Sequence, residues 1–470
     1  MIKRRMIAAL ALTLAFTACA FPSQAADSEF ITIGLSYQSS DTTAELSASD
    51  GLKLCKKGED TIEEASDALD GCGDIVLTLS GGRITVKDKK GSKITTLTGD
   101  GSECITSAGY FSTDDYICYD GTSYRGGIIP YINKAGQMNI LNYVDMDDYI
   151  KGVLHKEMSQ SSNLEALKAQ AVTARSYAEA NKGTHSSQGF DLCSTSHCQN
   201  YIGVKGEYTS TNEAVESTSG QRIYYDDKPV AGYYFANSGG HTENSEDVWT
   251  SALGYLRGKL DIYSPEYTWT KTFSRKELTD MFSSRGIGTV ESISVDSYND
   301  SGYAASLTVK GSKKSVTFTR DKIRSAFSGS SLKSRMFTLD TDGGTLQGSD
   351  GGGSTATKKS LFYAISAKGK EVLGNVLSVL SPDGISSVKL NGLKIMDGSG
   401  NVTAASYDSS ADRPSGQTVK FTDDSDKLII NGRGNGHGVG MSQQGAIEMG
   451  KQGFSYIDIL NYYYTDIEVK

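Results

Sequence analysis

Glu157 stands first among the residues able to do chemistry. In the run DDYIKGVLHKEMS, Tyr149, Val153 and Glu157 fall at i, i+4 and i+8, so a helix there sets the acid beside an apolar row. Met158 extends the neighbouring row from Ile150 and Leu154. A carboxyl on such a stripe is partly withdrawn from water, which disfavours its charge and raises its pKa. That keeps a carboxyl protonated near neutral pH, ready to act as a general acid. The plainer reading is a glutamate at the stripe's edge that reaches into solvent.

Two cations follow. Lys168 and Arg175 are seven apart and share a helix face with Leu164, Ala171 and Ala178. Cations beside small residues suit an anionic substrate group, or could steer Glu157; an ordinary solvated charged face shows the same pattern. Next, His185, Cys193, His197 and Cys198 gather two of the five histidines in a short segment. Two thiolates and two imidazoles make a closed tetrahedral set for a structural zinc ion. A Cys193–Cys198 disulfide is the competing reading. Other site types are excluded. His155-x-Glu157 lacks the Pro-Cys-x-x-Cys of zinc deaminases, there is no His-Glu-x-x-His, and the glycine run around His437 lacks the Gly-Lys-Ser/Thr of a phosphate loop.

Elements must hold these residues in place. From Phe30 to Tyr143 the pattern is short and alternating, with a hairpin signal at Gly81-Gly82 and a turn at Asn133–Gly136. Helical spacing begins at Asp148, and Ser162-x-x-Glu165 reads as the capping box of a second helix. Strand signals return at Arg222–Tyr225 and Val230–Ala236. Residues 341–355 are rich in Gly and Ser and read as a flexible linker. A β module is expected over 356–427, with a hairpin about Asn391-Gly392, and helical patterning resumes from Ser442 to Leu460.

Composition narrows the class. The chain has 470 residues and a formal charge of −9, which lacks the basic footprint of nucleic-acid binding. Lys3, Arg4 and Arg5 precede an apolar run to Ala20, and Ser23-Gln24-Ala25 reads as a cleavage site, so residues 1–25 are an export signal or an anchor. The expected location is outside the cytoplasmic membrane, secreted or tethered by the N-terminus. There, Cys55, Cys72, Cys104 and Cys118 can pair in three ways.

Five ordered blocks then carry a resemblance. DDYIKGVLHKEMS, LEALKAQAVTARSYA, YYFANSGGHTENSEDVW, GYLRG and GRGNGHGVGMSQQGAIEMGKQGFSYIDIL together resemble the stage II sporulation protein D (SpoIID/LytB) family. The resemblance covers about Asp145 to Leu339 and returns at Asn431. It implies an α+β fold with a β-rich N-terminal region (26–144), a mixed helix/strand catalytic core forming a groove (145–340 and 428–470), and an inserted small β module. It also implies a lytic transglycosylase, which cuts the MurNAc–GlcNAc bond of peptidoglycan strands stripped of stem peptides. Such an enzyme leaves 1,6-anhydroMurNAc ends during sporulation or engulfment. On this resemblance Glu157 is the catalytic acid, while Lys168, Arg175 and Tyr267 (in SPEYTW) bind substrate. His185, Cys193, His197 and Cys198 match a structural zinc set. Glycan strands and a cell-wall amidase are the implied partners. The alternative within the family is a non-catalytic amidase enhancer.

Overall fold

The computed structural model describes residues 29–37, 39–111, 115–327, 332–348 and 416–470, together with six short strands between 362 and 404. Residues 1–25, the expected export signal or anchor, lie outside the described residues. Strands dominate the N-terminal part, as the alternation requires. A seven-stranded sheet runs in the order Leu192–Cys193, Phe30–Ser36, Met138–Asp145, Gly127–Ile132, Glu103–Ser107, Leu52–Lys57 and Ile62–Ser66. A six-stranded sheet contains the expected hairpin, Asp74–Ser80 with Arg83–Lys87, closed by Gly81 and Gly82 at positive φ.

The strand Met138–Asp145 feeds straight into helix α1 (Met146–Glu157). Asp145 caps it, accepting from the N–H groups of Asp147 (2.9 Å) and Asp148 (3.4 Å), a contact worth about 1 kcal/mol. Tyr149, Val153, Ile150 and Leu154 are fully buried, in one continuous core with Ile31 and Ile33 of the first sheet and Leu77 and Val86 of the second. The β-rich region and the helical core therefore pack as one body, without a boundary at 144.

Helix α2 (Leu164–Ala180) is capped by Asn163, whose side chain accepts from Glu165 N–H at 2.8 Å. This corrects the Ser162 capping box by one residue. Glu165 is free for other work: it accepts from Tyr456 N–H (2.8 Å) and pairs with Lys168 (2.9 Å). The alanines of α2 let its own chain approach from several sides. Ala166, Ala171 and Ala174 join the first core, while Ala169 and Val172 pack against Met441, Met449 and Leu460 of the C-terminal segment.

A second unit has its own core. Trp269, Phe273, Phe282, Ile293, Leu307, Phe327 and Leu428 form it between a three-stranded and a five-stranded sheet. Thr345–Gly348 pairs with Gln417–Lys420 and Phe337–Asp342 pairs with Lys427–Arg433. The linker reading therefore fails over 341–348, where chain pairing outweighs a Gly/Ser-rich composition; 349–355 lie outside the described residues. The hairpin about Asn391-Gly392 is also corrected. Gly384–Lys389 pairs back with Val376–Ser381, and Lys394–Met396 pairs forward with Val402–Ala404.

Candidate active site

Glu157 is the last residue of α1 and ends the apolar row that buries Tyr149 and Val153. Burial pushes its carboxyl above the ordinary value, opposed by hydrogen bonds from the Asn200 backbone and the Gln443 side chain. Desolvation wins because one face of the residue is covered by the core while two donors only partly replace water. The protonated form thus persists to higher pH than in an exposed glutamate.

Gln443 arrives from 286 residues away and its Nε2 also donates to the Glu157 main-chain carbonyl at 2.9 Å. A second contact runs from the same Nε2 to Gln170 Oε1 of α2 at 3.4 Å. One amide therefore holds both ends of the glutamate. We expect Gln443→Met to lower turnover about 10-fold while leaving glycan affinity and melting temperature near wild type. Removing a donor to the charged form raises the Glu157 pKa further. The alkaline limb of the pH–rate profile should therefore move to higher pH; an unmoved limb would reduce Gln443 to a packing role.

A cleft of about 320 Å³ opens over Glu157. Tyr177, Tyr233, Tyr234, Trp249 and His437 line it, with Ser196–Asn200 on the remaining wall. Trp249 packs between Tyr233 (centroids 4.5 Å apart) and His437 (5.3 Å). Gln199 anchors Tyr234, donating to its hydroxyl at 3.2 Å, and accepts from Tyr149 of α1. His437 accepts the Val439 N–H on Nδ1, and burial pushes its pKa down to about 4, so it is a neutral ring at pH 7. Its loop needs glycine: Gly440 has φ +79°, and a Cβ there would stand 2.1 Å from Tyr233 O. Among the residues lining the cleft, Glu157 is the only carboxyl and there is no lysine or arginine.

The other expected substrate residues lie elsewhere. Lys168 is paired with Glu165 and sits over the Tyr456 ring, so it ties α2 to the C-terminal helix. Tyr267 belongs to the edge of the second core, its hydroxyl bonded to Lys333. Arg175 is 0% exposed. Its Nε and Nη2 reach Asp147 Oδ1 at 2.7 and 2.6 Å, and Nη1 donates to Gln221 O at 3.1 Å. A helical period shows which residues share a face; it does not show what covers that face. Arg175→Met should therefore cost about 2 kcal/mol of stability by removing the bonds to Asp147 and Gln221 O, less than a fully buried pair because Asp147 keeps the Ser219 hydroxyl and some water, with glycan affinity of the folded fraction unchanged. Lost affinity at wild-type stability would restore Arg175 to the groove.

The four potential metal ligands do come together, with their ligating atoms all within 4.8 Å of one another. Cys198 Sγ lies 3.4 Å from both His185 Nε2 and His197 Nδ1, and Cys193 Sγ lies 3.8 Å from His197 Nδ1. Tetrahedral zinc with two sulfur and two nitrogen ligands has edges of ~3.3–3.8 Å, so the donor set fits. Cys193 is held by parallel pairing with Gly34 at the sheet's edge, and His185 stacks on Phe190. His197 and Cys198 also line the cleft, two residues before the Asn200 that bonds Glu157.

Comparison with known proteins agrees with the five blocks. Residues 134–225, which carry α1, α2 and the four-ligand cluster, match the family described as Stage II sporulation protein. Residues 245–353, most of the second unit, match a family described only as a domain of unknown function. The amidase enhancer of Bacillus subtilis strain 168 is 30% identical over 361 residues, covering 75% of this chain. The chain spans only 45% of that relative's length. An uncharacterized protein of Brachyspira hyodysenteriae is 27% identical over 76% of this chain and 75% of its own length. Stage II sporulation protein D of Bacillus subtilis is 26% identical over 73% of this chain and 78% of its own.

Proposed function

We propose that this chain, a SpoIID-family member through residues 134–225, has a cell-wall-related role and is an exported lytic transglycosylase acting on bare peptidoglycan strands. The observation that carries this reading is one half-buried carboxyl, its pKa raised by burial, standing as the single carboxyl among the residues that line an aromatic cleft. A hydrolase of the usual kind needs a second carboxylate at a fixed separation. A transglycosylase needs one acid that later serves as base.

Protonated Glu157 gives its proton to the oxygen bridging MurNAc and GlcNAc as the C1–O bond breaks. The released GlcNAc hydroxyl departs, and the same carboxylate accepts the proton of the muramyl C6 hydroxyl as that oxygen attacks C1. The 1,6-anhydro ring closes and Glu157 returns to its starting state. Tyr233 and Trp249 supply faces for neutral pyranose rings, and Gln443 with the Asn200 N–H holds the carboxyl. His185, Cys193, His197 and Cys198 would hold a structural zinc ion, which would brace the Ser196–Asn200 wall.

Bare strands incubated with the protein should yield ends lighter by one water than reducing ends and inert to borohydride. Reducing ends alone would mean water is the nucleophile. The second reading is an amidase enhancer, favoured by the 30% identity to the relative of that name. It predicts no new glycan ends and faster turnover by an added cell-wall amidase.

A further inference from the structure

Cys55 and Cys104 stand opposite one another on the antiparallel strands Leu52–Lys57 and Glu103–Ser107. The Lys57 N–H to Ser102 carbonyl bond sets the phase of this ladder and makes the two cysteines a hydrogen-bonded pair. Cα atoms of such a pair lie ~5.5 Å apart, inside the ~4.4–6.8 Å that a disulfide spans, and closure draws the Cβ atoms in from about 5.5 Å to about 4 Å. Both residues are fully buried, in a cluster with Ile62, Ile129 and Leu141. Both are free thiols in the structure, and the Cys104 thiol, with the Thr106 hydroxyl 3.5 Å from the Cys55 sulfur, eases deprotonation of Cys55. The other two cysteines belong to a different sheet. Cys118 lies opposite Ser47, and Cys72 leads into the strand Asp74–Ser80.

We infer that Cys55 and Cys104 form a cross-strand disulfide that locks two neighbouring strands just inside the Ile62–Ser66 edge of the seven-stranded sheet. Of the three connectivities open to these four cysteines, it is the one that joins residues already facing each other in the ladder. The bond forms by exchange with a small-molecule disulfide such as oxidised glutathione. The Cys55 thiolate attacks one glutathione sulfur and expels a thiolate; the Cys104 thiolate then attacks Cys55 sulfur and expels the second. One S–S bond forms as one breaks, and two electrons and two protons leave as two glutathione thiols. Closure comes during folding, before the pair is covered by the core.

The full chain, unfolded and refolded in a mixture of reduced and oxidised glutathione, can be quenched with N-ethylmaleimide. Digestion with trypsin and an Asp-specific protease separates Cys104 from Cys118. The Cys55 and Cys104 peptides should then run as one species, lighter by two hydrogens than their sum, and separate on reduction. The same linked species should persist in a Cys72→Ser/Cys118→Ser variant. N-ethylmaleimide on both Cys55 and Cys104, or either one joined to Cys72 or Cys118, would overturn the assignment.

Discussion

Glu157→Gln should lower cleavage of bare glycan strands by at least ~100-fold while the protein folds and binds strands as before. The amide keeps the volume of the carboxyl and still accepts the Asn200 N–H that bonds it. It can neither give nor take the proton that both halves of the reaction require. Binding should survive, because Tyr233, Trp249 and the rest of the cleft do not depend on the charge at position 157. In wild type, burial raises the Glu157 pKa, so the acid form persists to higher pH than for an exposed glutamate. Activity should fall as pH rises through that raised value, and the fall should vanish from the residual rate of Glu157→Gln. Wild-type turnover in Glu157→Gln would remove the glutamate from the mechanism, whatever ends the product carries.

The part of this site that can be read along the chain is the part built by one helix. Positions 149, 153 and 157 share a face in any α-helix, so the half-buried state of Glu157 follows from local periodicity. The clustering of the four potential ligands is legible for a similar reason: they fall in one short loop, and their donor types are specific. The cleft is not local. Tyr177 comes from α2, Tyr233 and Trp249 from the following loops, and His437 and Gln443 from beyond the second unit. No period links them, and the aromatic wall is assembled only when the chain returns to pack Met441 and Met449 on α2. The same return explains the two misplaced cations. Lys168 and Arg175 do share a face, but Tyr456 covers one and the first turn of α1 takes the other. The expected linker fails for a related reason. Gly343 and Gly344 look like a hinge by composition, yet the flanking residues gain a full set of backbone partners from Gln417–Lys420 and Lys427–Arg433.

Zinc removal should have the second large effect, and it tests a different layer of the structure. Protein purified without chelator should carry about one zinc per chain by elemental analysis, as a single four-ligand site requires. Cys198→Ser should lose that zinc and become sensitive to protease between Asn181 and Gly203, because binding energy at a structural site is folding energy. The Ser196–Asn200 wall would then loosen, and with it the Asn200 N–H that bonds Glu157. Cleavage should drop in proportion to the metal lost and return when zinc is restored to chelated wild type. Helix α1 should keep most of its core, since Ile150, Val153 and Leu154 share a cluster with Ile31 and Ile33, while Tyr149 loses contacts with Gln199 and Tyr201 of the loop. Two outcomes separate zinc from the competing disulfide. Metal-free protein with a mapped Cys193–Cys198 bond and undiminished stability would sink the zinc assignment. Full metal content, with both thiols alkylated only after chelation, would establish these residues as ligands, even if Glu157→Gln and the product analysis favoured the enhancer reading.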